Sequence, residues 1–203
     1  MADRKLILDL CGGTGSWSKP YVDAGYDVRV ITLPKWDVRT FLVELLGQPV
    51  HGILAAPPCT MFSFARTNAR TPRDLKVGME CVRACMNTIW KCMEIQKPTS
   101  SKCVPLAWWA LENPYHGLLP KFLGKPAFVF NPYDFGDNYK KKTALWGNFT
   151  EPVKMSGNGN GLVKFDRLKS HEIHPEQFGK LDRTTRRSIT PSGFARAFFK
   201  ANP

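Results

Sequence analysis

The run Lys5-Leu6-Ile7-Leu8-Asp9-Leu10 stops at the cluster Cys11-Gly12-Gly13-Thr14-Gly15. A short apolar run closed by glycines predicts a buried strand and then a tight turn. Residues 50–55 repeat the device, an apolar run leading straight into Pro57-Pro58-Cys59. Between the two, residues 17–24 suit a helix, Gly25 breaks it, and residues 26–31 read as a second strand. After the turn Pro34-Lys35-Trp36-Asp37, residues 38–46 are expected to be helical.

Further on, residues 73–95 show long, mixed helical periodicity and residues 98–102 form a polar loop. Residues 105–110 either complete a helix or enter a strand ending at Glu112, and residues 127–130 and 143–146 look like further strands. Strands alternating with helices predict an α/β fold with a doubly wound, mostly parallel sheet. Ligands of such sheets gather at the carboxyl ends of strands. Gly12 to Gly15, Cys59 and Glu112 each follow a predicted strand, which places them in one site. Residues 156–161 are a glycine-asparagine loop, and residues 190–199 a short amphipathic helix. Thr190, or the serine after it, is expected to cap that helix, with Pro191 near its first position.

At 203 residues the chain suits one well-cored domain, and 43% hydrophobic content is that of a globular protein. No apolar run approaches the ~20 residues that cross a bilayer, and the N-terminus carries no secretory pattern. A soluble, cytoplasmic protein without membrane contact is therefore expected. Lys and Arg total 29 against 17 Asp and Glu, a formal charge of +12. Such an excess favours a polyanionic partner, because neutralised phosphates release condensed counterions. The charge concentrates in the C-terminal half, at Lys140-Lys141-Lys142, residues 164–169 and residues 183–187. His171 and His174 lie in this region and read as loop residues. Six cysteines without an export signal imply free thiols. Cys81, Cys85 and Cys92 share one helical face, and with no CxxC pair or nearby histidine they suit core packing, so no metal is expected.

A cysteine fixed at a diproline turn, with the Glu112-Asn113 pair later in the chain, is equipment for attacking a pyrimidine. C5 of cytosine is a poor nucleophile until a thiolate adds to C6 and turns C5 into an enamine carbon. A carboxyl group bonded to the ring at N3 stabilises the charge that the addition produces. Taken singly, Pro57-Pro58-Cys59 is equally a buried cysteine at a tight turn, Glu112-Asn113-Pro114 a strand end, and Gly12 to Gly15 a plain strand-to-helix turn.

In order along the chain, however, Asp9-Leu10-Cys11-Gly12-Gly13-Thr14-Gly15, Pro57-Pro58-Cys59, Glu112-Asn113 and Tyr139-Lys140-Lys141-Lys142-Thr143 resemble the cytosine-C5 DNA methyltransferase family. The fourth is similar to a variant found in small viral members, and residues 190–199 resemble the family's closing helix. The resemblance implies a class I S-adenosylmethionine-dependent methyltransferase fold and transfer of a methyl group to C5 of cytosine in DNA through a covalent cysteine adduct. It implies Cys59 as nucleophile, Glu112 at N3 and Lys141 at the target ring or nearby backbone. Asp9, Leu10, Cys11, Gly12, Gly13, Thr14, Gly15, Thr32, Asp37 and Pro57 would hold S-adenosylmethionine, with Asp9 anchoring the turn and Asp37 facing the adenine amine.

Three departures stand out. Pro114 follows the Glu-Asn pair in place of valine, Lys141 replaces an arginine, and Thr32 occupies a position where an acidic residue usually binds the ribose. The large target-recognition domain is also missing, which suggests a compact, phage-type member acting in the host cytoplasm. Residues 1–148 would be the catalytic core, 149–189 a short basic region replacing the recognition domain, and 190–203 the helix completing the core. Selectivity would then be low, or supplied by a partner or by self-association. The target base would be flipped out or already single-stranded. Two rivals remain: a catalytically degenerate nucleic-acid-binding protein on the same fold, and a cytosine methyltransferase acting on RNA or a nucleotide.

Overall fold

The computed structural model describes residues 4–64, 71–97, 104–137, 139–155 and 174–203. The loops at 98–102 and 156–161, the basic run 164–169, His171 and the central part of the 149–189 segment lie outside the described residues.

Six strands form one sheet: β1 (Leu6–Leu10), β2 (Asp27–Ile31), β3 (Val50–Ala55), β4 (Trp108–Pro114), β5 (Phe128–Phe130) and β6 (Thr143–Asn148). Their spatial order is β2-β1-β3-β4-β6-β5. β1 pairs in parallel with β2 and β3, and β3 with β4, whereas β6 is antiparallel to both β4 and β5. The mixed, mostly parallel α/β sheet expected from the strand and helix alternation is therefore present. Helices α1 (Lys19–Asp23), α2 (Leu75–Ile95), α3 (Leu119–Leu123), α4 (Arg183–Ser188) and α5 (Ser192–Ala201) accompany it.

Strand alternation splits the core between the two faces of the sheet. Leu6, Leu8 and Leu10 of β1, with Ile53 and Ala55 of β3, pack with Val82, Cys85, Ile89 and Cys92 of α2. Ile7, Leu54, Trp108 and Ala110 point the other way, onto Trp17, Tyr21, Phe194 and Phe198. Both faces are covered, which is why the strands read as continuous apolar runs. Among the described residues no helix is long and apolar enough to cross a membrane.

Two local expectations change and one open alternative closes. Residues 38–46 hold only a single 3-10 turn at Val43–Leu46. Asp37 takes the Arg39 amide onto its own carboxylate at 2.9 Å, a local bond that competes with helix. Residues 105–110 lead into a strand, the second of the two readings, with β4 beginning at Trp108 and running past Glu112 to Pro114. Trp108 and Ala110 face one core while Trp109 and Leu111 face the other. At α5 neither Thr190 nor the serine serves as cap. Pro191 occupies the cap position without a side-chain bond, and the Thr190 amide donates instead to Ser16 Oγ at 2.9 Å. That bond brings the segment between α4 and α5 onto the turn after β1.

Candidate functional site

β3 and β4 stop pairing at Ala55 and Leu111. β3 turns away at the diproline, while β4 runs on against β6, with Glu112 opposite Leu145, Asn113 opposite Ala144 and Pro114 opposite Thr143. Glu112 thus lies inside β4 rather than after it, and the cause is the antiparallel partner. It projects past the end of β3, beside the loop that carries Cys59.

That loop is tied down from several sides. Asn113 Nδ2 donates to the Pro57 carbonyl at 2.9 Å. Cys59 O accepts from the amides of Phe62 (3.0 Å) and Ser63 (2.8 Å), and the Leu118 amide donates to Phe62 O at 3.0 Å. Ser63 bridges Gly117, and the Arg73 guanidinium donates to the carbonyls of Met61 and Ser63. Beneath the loop, α2 presents Gly78, where a Cβ would meet Met61 Cβ at 2.7 Å.

Cys59, Glu112 and Lys141 share one electrostatic neighbourhood. Burial pushes the Cys59 thiol up and the Glu112 carboxylate adds to this, while Lys141 and Arg187 pull it back. Burial likewise raises the Glu112 carboxyl, against the opposing charge of Lys141. Lys141 sits just before β6, its carbonyl accepting from Thr143 Oγ1 at 2.7 Å. Next to it, Lys142 O accepts the Tyr115 amide at 3.0 Å, and Lys142 Nζ lies 4.3 Å above the Tyr115 ring. The buried Tyr139 phenol, raised by burial, also feels Glu112. His174 is a turn residue whose Nδ1 lies 3.3 Å from Glu176 Oε1.

Arg187 is the residue that sequence reasoning did not single out. It belongs to the basic run 183–187, and nothing local distinguishes it from its neighbours. Tertiary placement does. Asp182 caps α4 by accepting the Thr184 and Thr185 amides. Arg186 turns inward, 4.9 Å from the Phe178 ring, leaving Arg187 exposed and within electrostatic reach of Cys59.

The turn after β1 forms a second part of the site. Cys11, Gly13 and Gly15 have φ of 57°, 55° and 68°, the left-handed region that glycine enters freely. The Cys11 amide donates to Ile31 O at 2.8 Å, and the Gly15 amide to Gly12 O at 2.9 Å. Asp9 lies fully buried beneath, its Oδ2 accepting from Ser18 Oγ at 2.6 Å, while Oδ1 has no partner. A Cβ at Gly12 would fall 2.3 Å from the Asp9 carboxyl carbon. Burial lifts the Asp9 carboxyl to about 6, with the Ser18 bond opposing.

The remaining expected ligands are partly engaged elsewhere. Leu10 is core, and its carbonyl accepts the Ala56 amide at 2.9 Å. Thr14 is exposed, and Pro57 is buried with its carbonyl held by Asn113. Thr32 is half-buried, its carbonyl taken by the Trp36 amide. Asp37 meets Arg39 through both oxygens, which holds its carboxyl down at about 2. Arg39 in turn reaches Glu80 on α2 at 3.5 Å.

Two hollows are lined by none of the expected site residues, although the second borders Arg39 and Glu80. One of about 360 Å³ is lined by Val43, Val50, Cys92, Ile95, Gln96 and Val104. The other, of about 390 Å³, lies against α2 between Arg39, Glu80 and Lys91. Among the described residues no cluster of three or more His, Cys, Asp or Glu side chains could hold a metal ion. No family model matches the chain, and no curated protein does.

Proposed function

We propose that the protein is an S-adenosylmethionine-dependent DNA cytosine-C5 methyltransferase on a class I methyltransferase fold. The observation that carries this is geometric: where β3 and β4 part company, the Asn113 bond to the Pro57 carbonyl at 2.9 Å ties the strand carrying Glu112 to the loop carrying Cys59, and Lys141 lies within electrostatic reach of both. A nucleophile, a carboxyl group able to bond the ring at N3 and a cation are what addition to a pyrimidine ring requires.

In this scheme Cys59, as thiolate, bonds to C6, and the electron pair of the C5–C6 double bond moves into the ring. Glu112, its carboxyl raised by burial, bonds at N3 and stabilises the charge. Lys141 and Arg187 favour the thiolate and hold a nearby phosphate. C5 takes the methyl group; the C5–H bonding pair then re-forms the C5–C6 double bond as the proton passes to water, and the sulfur–C6 pair returns to Cys59 as the bond breaks.

The turn after β1 fits S-adenosylmethionine at its amino-acid end. Asp9 packs directly beneath Gly12, where a Cβ would collide with its carboxyl, and so anchors the turn from below, while the outer side of the turn at Gly13 is open space. When bound, the cofactor supplies an electrophilic methyl group. The nucleoside end fits less well. Thr32 offers no carboxylate, and Asp37 reaches an adenine amine only when Arg39 lets go.

That engagement of Asp37 favours a second reading, a nucleic-acid-binding protein on the same fold without transfer. Exposed Lys140, Lys142 and Arg187 would serve phosphates in either case. The deciding experiment incubates the protein with methyl-labelled S-adenosylmethionine and duplex DNA, single-stranded DNA, transfer RNA or dCMP. Label is expected in DNA, at C5 of cytosine, with Cys59→Ser lowering the rate by about three orders of magnitude. Salt-dependent DNA binding with no transfer and no cofactor heat in calorimetry would select the second reading. Label in RNA or dCMP alone would move the substrate.

A further inference from the structure

One pair of thiols carries no step of this chemistry, although Cys11 stands in the turn proposed to seat the cofactor. Cys11 Sγ and Cys85 Sγ lie 4.0 Å apart, one in the turn after β1 and the other on the buried face of α2. We propose that Cys11 and Cys85 are an oxidisable dithiol, which a small-molecule disulfide such as oxidised glutathione converts into a disulfide pinning the glycine turn to α2.

The two sulfurs are unequal, as such a pair requires. Cys11 is half-buried and open to a reagent at the turn, whereas Cys85 is buried in the core. The contact between the two sulfurs lowers the Cys11 thiol and raises that of Cys85, where burial adds to the rise. Asp9 and Asp37 oppose the lowering at Cys11 and Arg39 assists it. Cys81 on α2 is also half-buried and within electrostatic reach of Cys11. Cys11 is therefore the attacking sulfur and Cys85 the resolving one.

In the first step the Cys11 thiolate bonds to one sulfur of oxidised glutathione and expels a glutathione thiolate. That thiolate accepts the Cys85 proton. The Cys85 sulfur then attacks the Cys11 sulfur and expels the second glutathione thiolate. Two protein thiols are oxidised and one small disulfide is reduced to two thiols. A disulfide spans about 2.05 Å, so the sulfurs must approach by about 2 Å. The turn makes that movement, because Cys85 is fixed in a 21-residue helix packed on the sheet. Displacing the turn disturbs the seat of Gly12 over Asp9 and the Thr190 bond to Ser16.

The test does not depend on any cofactor. The reduced full chain is treated with oxidised glutathione, its remaining thiols are blocked with N-ethylmaleimide, and it is digested without reductant for mass spectrometry. A cross-linked peptide pair containing Cys11 and Cys85 is expected, two hydrogens lighter than the free pair and released by dithiothreitol. In Cys85→Ala a lasting glutathione adduct on Cys11 should replace it, and in Cys11→Ser the buried Cys85 should stay unmodified. Wild type alone decides if a variant fails to fold. No internal disulfide under excess oxidant, or Cys11 joined to Cys81, overturns the assignment.

Discussion

Asn113 Nδ2 donates to the Pro57 carbonyl oxygen across 2.9 Å, and that bond ties the strand carrying Glu112 to the turn carrying Cys59. Asn113 is 1% exposed, so the bond forms away from water. Alanine there leaves a buried carbonyl without its donor, at a cost of about 1–3 kcal/mol. The Ser63–Gly117 bridge and the Leu118–Phe62 bond still hold the loop, so the fold should survive. Asn113→Ala should therefore lose about 1–3 kcal/mol in urea denaturation. Methyl transfer should fall by about tenfold or more, since small misplacements of a reacting group are costly. Unchanged transfer at reduced stability would mean that the clamp does not position Cys59.

The coupling of Cys59 to Glu112 can be read without any substrate. Iodoacetamide alkylates the thiolate, and the Cys59 thiol is raised by burial and by Glu112. In a protein keeping only this cysteine accessible, alkylation should still be climbing with pH above the ordinary thiol value of 9.0. Glu112→Gln removes the repelling charge and should move that rise to lower pH. Lys141→Met and Arg187→Gln remove attracting charges and should move it higher. Profiles that coincide in all four proteins would place the groups too far apart to act together.

Much of this arrangement was legible in the chain. Apolar runs closed by glycines or prolines gave β1 and β3, because a strand buried on both faces has few polar residues to blur its ends. The regions of α2, β5 and β6 were equally plain. Residues 38–46 misled, since helical spacing carried no sign that Asp37 would bind the Arg39 amide. Residues 105–110 were ambiguous because two tryptophans in succession suit either period, and only the two cores separate them. Cys59 and Glu112 became candidates only through the order of motifs along the chain, since each alone suits a plain turn or strand end. Arg187 and Cys85 did not, because what distinguishes each is a neighbour more than 70 positions away.

Asp9 makes the stability depend on pH in a defined direction. Its folded carboxyl lies at about 6 against an ordinary value of 3.8, so the folded chain binds this proton more tightly than the unfolded one. The corresponding stability is complete below the ordinary value and is lost as pH rises through about 6. The shift corresponds to about 3 kcal/mol. Other carboxyls titrate nearby, Glu112 and Asp137 raised, Asp37 and Asp182 lowered. The informative quantity is therefore the difference between wild type and Asp9→Asn in urea denaturation. Asparagine should gain about 2 kcal/mol on wild type between pH 4 and pH 7, the rest of the difference lying below pH 4. A difference that stays constant with pH would remove Asp9 as its source.

Gly78 sets two opposing effects against each other. Alanine in a helix interior is favoured over glycine by about 1 kcal/mol, so on propensity alone Gly78→Ala should stabilise α2. The added Cβ, however, would stand 2.7 Å from Met61 Cβ and 3.0 Å from Phe62 Cζ. Phe62 is fully buried, and its backbone is bonded to both Cys59 and Leu118, so the loop has little room to retreat. Overpacking of this kind costs about 1–3 kcal/mol and outweighs the helix gain. Gly78→Ala should lower the urea midpoint and shift the Cys59 alkylation rate, because the strain enters the loop that carries the thiol. A control at the exposed Asn87 of the same helix, Asn87→Ala, has no such neighbour to displace and should leave both readings nearly unchanged. A stabilised Gly78→Ala protein would show that the loop does not rest on α2 where this packing puts it.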